Sequence, residues 1–192
     1  MGQTSINNMK YKLTTNTKEF LGTTLYQIEA LKDFDIISKG DLGGWVEGES
    51  NLSQDGNSWV SENASVYDDA RVFDDAWISG NASVFGNASV FDDAWISGDA
   101  SVYGNSCISG TARVYGDASV SGNFNYTKGK FIGGIDGEDK VTNITDKTGS
   151  TYWDNQYVLG DYEITPIEEK KTEELTIEQV CKELGRTVKI VK

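Results

Sequence analysis

The residues whose types and spacing could do chemistry are paired acids, a column of indoles and one arginine. Asp74-Asp75 returns as Asp92-Asp93 eighteen residues later, so an architecture repeating at that interval stacks four carboxylates on neighbouring levels. Such carboxylates repel, and a hard, oxygen-seeking cation such as Ca²⁺ would relieve them. Asp74, Asp75, Asp92 and Asp93 are therefore the one candidate metal set. Exposed corners in water and salt tolerate such pairs without a metal, so no resident metal or other cofactor is expected. Trp59, Trp77, Trp95 and Arg113 follow the same interval, as do Phe85 with Tyr103 and Phe73 with Phe91. These eight are the candidate binding or interface residues. The chain has no histidine, and its acids recur with the repeat, so no single carboxylate stands out as a general base. No catalytic residue is assigned, and the expectation is a chain that is not an enzyme. Cys107 and Cys181 lie in different segments, which supports neither a disulfide framework nor a metal-ligand spacing.

What must position these residues is a sixfold pattern. Val60, Val66, Val72, Ile78, Val84, Val90, Ile96, Val102, Ile108, Val114 and Val120 fall at every sixth place. Neither an α-helix nor a flat strand has that period. The run beginning at Phe73 returns at Phe91 with only Asp99 and Tyr103 changed, so six residues make one side and eighteen make one circuit. The aliphatic residue faces inward, and a small residue two places before it (Ala64, Ala70, Ala76 and onward) fits a corner. Gly, Asn and Asp take the turns because they tolerate unusual φ. The aromatic ladders flank the inward positions and so point outward. Coils of this kind stack at about 4.8 Å, the spacing of strands in a sheet.

The repeated [Val/Ile]-x-[Gly/Asp]-[Asn/Asp]-Ala-x resembles the hexapeptide repeat of left-handed parallel β-helices. The lead-in, with Leu25-Tyr-Gln-Ile-Glu-Ala-Leu, Lys39-Gly-Asp-Leu-Gly-Gly-Trp45 and Leu52-Ser-Gln-Asp-Gly-Asn-Ser-Trp59, resembles the YdcK-like hexapeptide proteins of bacteria, phages and prophages. That resemblance implies an all-β, left-handed parallel β-helix of about four coils, trimeric assembly, and kinship with acyltransferases whose general base is typically a histidine. It also implies phage or prophage origin.

The ends depart from the pattern. Residues 1–54 are expected to form an N-terminal β cap, with an antiparallel pair around Tyr11-Lys-Leu-Thr and Leu25 to Leu31 and with Trp45 as a lid on the first coil. The β-helix is expected over 55–134, a partial last coil keeping Ile132 in the sixfold register. Residues 135–164 read as a C-terminal cap. Asp161 to Glu174, with the sole proline Pro166, reads as a linker that runs from the end of the cap into the terminal segment 165–192. A capping box at Thr176 and Gln179 then opens a short helix bearing Ile177, Val180, Cys181 and Leu184, followed by a strand at Val188 to Val191.

The net charge of −13 restricts the partners. Between residues 51 and 127 the only bases are Arg71 and Arg113, so direct nucleic-acid binding, which needs clustered Lys and Arg, is not expected. No stretch reaches the roughly 18 apolar residues of a membrane span, and a bacterial-host cytoplasm fits the cysteine usage. The leading reading is an oligomeric binding protein, a homotrimer that holds a host protein or a small signal molecule, for example as an anti-defence factor. The alternatives are a divergent acyl- or acetyltransferase and a structural or virion-assembly component.

Overall fold

A computed structural model describes residues 9–133, 141–143 and 156–166. The chain opens with strand β1 (Tyr11–Phe20) and strand β2 (Thr23–Ala30), an antiparallel hairpin. Its two-residue turn, Leu21-Gly22, takes φ of 50° and 87°, the doubly left-handed geometry that matches strand twist. Strand β3 (Leu42–Val46) pairs antiparallel with β2 on one edge and parallel with the rung Ser65–Val66 on the other. The expected cap pair is therefore present, and it continues directly into the sheet of the repeat.

From Trp59 onward the chain winds as a β-solenoid of about five turns built from two-residue rungs. Three inward columns run along it: Val46–Val66–Val84–Val102–Val120, Val60–Ile78–Ile96–Val114–Phe131 and Leu52–Val72–Val90–Ile108–Tyr126. Every member is buried. Backbone hydrogen bonds tie each level to the next, as in Trp59 N–H to Ala76 O at 3.0 Å and Ser83 N–H to Ala100 O at 2.9 Å. The corner alanines are buried as expected. The turns take positive φ at Gly80, Gly86, Gly98 and Gly104, and also at Glu62, Asp68, Asp74 and Asp92, where a side chain accepts the strain.

Three end features differ from the sequence-based expectation. Trp45 is not a lid. Strand alternation sends Val46 inward and leaves Trp45 on the outer face beside Ser65, with the Lys18 ammonium 4.8 Å from its ring centroid. The lid is made instead by Tyr11 and Phe34, which meet Trp59 edge-on at 6.5 and 5.4 Å. At the other end, the strand Phe124–Gly133 turns a corner and serves two faces. It pairs Tyr126 with Ile108, eighteen apart, but Phe131 with Val114, seventeen apart. The corner at Gly129 (φ 125°) is one residue short, so Phe131 takes the inward place and Ile132 lies opposite Tyr115. Tyr126 and Phe131 then close the core, edge to face at 5.2 Å. Finally, Asp161 to Pro166 is not linker but part of the strand Gln156–Pro166, which runs antiparallel along Phe124–Gly133 and also pairs Val141–Asn143. Pro166 sits at the strand end opposite Phe124, where a missing N–H costs little. The helix and strand expected after residue 175 lie outside the described residues.

The glycines before Trp45 carry the join between cap and solenoid. A Cβ on Gly43 would stand 2.5 Å from Ile28 Cγ1 and 2.6 Å from both Trp59 Cζ2 and the Val60 carbonyl oxygen. Gly43→Ala is therefore expected to cost about 1–3 kcal/mol through overpacking. Gly48→Ala, whose nearest neighbour would be Ser50 Oγ at 3.9 Å, should leave the urea midpoint unchanged.

Candidate functional site

The interval of eighteen places the tryptophans as expected: Trp59, Trp77, Trp95 and Arg113 stand in register on successive levels. Their environments differ along the column. Trp59 is buried under the cap, Trp77 is half-buried, and Trp95 is 40% exposed. Beyond Arg113 the shortened last turn brings Lys130 into register, a neighbour that the sixfold pattern does not reveal. The signal in the sequence is only the seventeen-residue spacing, legible once the slip at the last corner is known.

Trp95 makes two contacts on this face. Its indole N–H donates to Ser79 Oγ at 3.2 Å, and the Arg113 guanidinium lies 5.2 Å from its ring centroid. A cation so placed is attracted by the ring quadrupole. Trp95, Ser97, Arg113, Tyr115 and Lys130 line a recess of ≈ 260 Å³. Burial pushes the Tyr115 phenol pKa up while Arg113 pulls it down, so the phenol remains a proton donor at neutral pH. Both cations are exposed and, among the described residues, neither forms a salt bridge. The recess thus presents a guanidinium, an ammonium, a phenol and a hydroxyl beside an apolar ring.

The other ladders are stacked columns. Tyr67, Phe85 and Tyr103 lie ring on ring at 5.1 and 5.0 Å, and Phe73 lies on Phe91 at 4.8 Å, each pair within 7° of parallel. Each ring covers its neighbour and all are at least half-buried, so the column shows edges rather than faces to solvent. Phe20 closes the lower end on Tyr67 at 5.6 Å.

The four aspartates stand at one corner but do not converge. Asp75 Oδ1 accepts from the Asn57 backbone N–H and side-chain amide at 3.2 and 2.9 Å, and Asp92 Oδ2 accepts the Gly110 N–H at 3.0 Å. Among the described residues no group of three or more His, Cys, Asp or Glu is placed to hold a metal ion. The same contact recurs where Glu62 and Asp68 accept the N–H groups of Gly80 and Gly86, one level up. Corner carboxylates here act as rung-to-rung caps. Cys107 is half-buried on an outer face, its thiol pKa raised by burial and then by Asp92, so it is a poor nucleophile.

No known family profile matches the chain. A stretch of 65 residues, 30% of this chain, is 34% identical to the uncharacterized acetyltransferase YdcK of Escherichia coli (strain K12), of which it covers 20%. The expectation that this chain is not an enzyme is corrected by that similarity, because the relative is named an acetyltransferase. The premise behind it was too narrow, since missing histidine removes one proton carrier while carboxylate, phenol and amine remain. Together, the stacked coils and this partial similarity support a β-helix repeat protein distantly similar to a hexapeptide-repeat acetyltransferase.

Proposed function

We propose that the solenoid is a scaffold for binding an anionic ligand in the recess formed by Trp95, Ser97, Arg113, Tyr115 and Lys130. The observation that carries this reading is the charge arrangement. On a chain of net charge −13, two cations occupy adjacent levels of one column with no carboxylate partner among the described residues. Levels about 4.8 Å apart set those charges close enough to repel, and a bound anion relieves the repulsion. Trp95 and Tyr115 supply apolar walls for whatever the anion is attached to. Holding a small host signal molecule, in a protein of phage or prophage origin, is one use for such a recess.

Acetyl transfer is the second reading, favoured by the name of the partial relative. There the recess would hold the anionic end of an acetyl donor. Calorimetric titration with acetyl-coenzyme A tests both readings. Binding should be weakened at least about tenfold by Arg113→Ala, the loss of a charge-assisted hydrogen bond worth about 1.5–3 kcal/mol. Arg113→Lys should recover only part of it, because an ammonium cannot reproduce the planar fork. Free coenzyme A released only when an acceptor amine or hydroxyl compound is added, with the acetyl group recovered on that acceptor, would support transfer, and binding without release would support the scaffold reading alone. Affinity unchanged in Arg113→Ala would remove the recess from consideration as the donor's site.

A further inference from the structure

Lys10 sits just before β1 and, among the described residues, is the one Lys, Arg, Asp or Glu fully withdrawn from solvent. Its Nζ donates to Ser58 O at 2.8 Å and Ser58 Oγ at 3.1 Å, with the carbonyl oxygens of Asp55 and Gly56 each at 3.4 Å. The Phe34 ring covers it, centroid at 5.5 Å. These oxygens all lie on the segment that leads into the first rung at Trp59, so the amine fills an oxygen cage that joins cap to coil. Gln54 seals the same seam, its Oε1 accepting from the backbone N–H groups of Lys10 and Tyr11 at 2.8 and 3.2 Å. Tyr11 adds a third tie, its hydroxyl donating to Leu52 O at 2.7 Å.

We propose that Lys10 is a proton-linked latch, whose seat in this cage couples closure of the N-terminal cap to release of a proton. The cage is built of neutral dipoles, which solvate a full charge less well than water does. The charged groups facing the amine are Asp55 and Asp75, which favour the ammonium, and Lys32, which opposes it. Burial outweighs them and brings the pKa from the ordinary 10.5 to about 8. Below about 8 the amine is charged both in the folded, closed form and in the unfolded, open one, and closure carries the full desolvation cost. Between about 8 and 10.5 the closed form has released its proton while the open form keeps it, so closure strengthens as pH rises. Above that window both forms are neutral and the dependence ends. The neutral amine keeps two N–H donors for Ser58, so the tie survives the loss of charge.

The test compares wild type with Lys10→Met in urea titrations at pH 8.5 and 9.5 and fixed ionic strength. The ratio of unfolding constants, wild type over variant, should fall by up to about tenfold per pH unit in this window. A ratio that stays flat or rises overturns the latch. Should Lys10→Met fail to fold, NMR titration of the wild-type Lys10 Cε signal decides. A midpoint near 8 supports the latch, and one near 10.5 with the cap closed overturns it.

Discussion

Val84→Asp will leave the chain without a cooperative fold, whereas Ser83→Asp, one residue earlier, will leave it folded. Val84 is fully buried between Val66 and Val102 in a column where every neighbour is aliphatic. An unpaired carboxylate there has no donor to meet and, even after relaxation, costs several kcal/mol. That is a large part of the 5–15 kcal/mol by which a domain is usually stable. Ser83 points outward from the same rung and is only half-buried, so its carboxylate reaches water. Urea titration followed by far-ultraviolet circular dichroism reads the contrast. A cooperative transition for Val84→Asp at the wild-type midpoint would mean that the inward face has been assigned wrongly.

Trp59→Ala will cost about 3–5 kcal/mol, while Trp95→Ala, in the same column, will cost about 1 kcal/mol or less. The two indoles are two levels apart and share one register, yet only Trp59 lies beneath Tyr11, Phe34 and the Gly43 backbone. Truncating it leaves a cavity that the cap cannot fill without abandoning those contacts. Trp95 loses a cation–π contact and a hydrogen bond at the surface, where solvent replaces most of both. Equal losses for the two variants would mean that the cap does not cover the first coil as described.

The inward columns were legible in the sequence because a narrow prism admits one kind of residue at its axis. Eleven aliphatic residues at strict sixth places leave little freedom for another register, and every one of them is buried. The turns were legible for a similar reason, since left-handed φ selects Gly and Asp. The last coil was less so. Ile132 keeps the sixfold count, but a corner shortened by one residue at Gly129 hands the inward place to Phe131, and the count carries no information about corner length.

The candidate site shows the same division. Trp95 and Arg113 were visible as neighbours because both obey the repeat. Lys130 was not, because it reaches the column only through that slip. The burial of Trp59 depends on a hairpin more than 25 residues earlier in the chain, and no periodicity within the repeat reports it. Lys10 was missed altogether. Its carbonyl cage is made by backbone, which has no signature in side-chain pattern.

The recess at the end of the tryptophan column is tested most directly by NMR titration of the Trp95 indole N–H and the Arg113 Nε–H with pyrophosphate at constant ionic strength. Saturable shifts of both signals in the wild type, with the Trp95 indole shift abolished in Arg113→Ala/Lys130→Ala, are the predicted result. Signals that do not move, or that move equally in the double variant, would contradict an anion-binding role for this face.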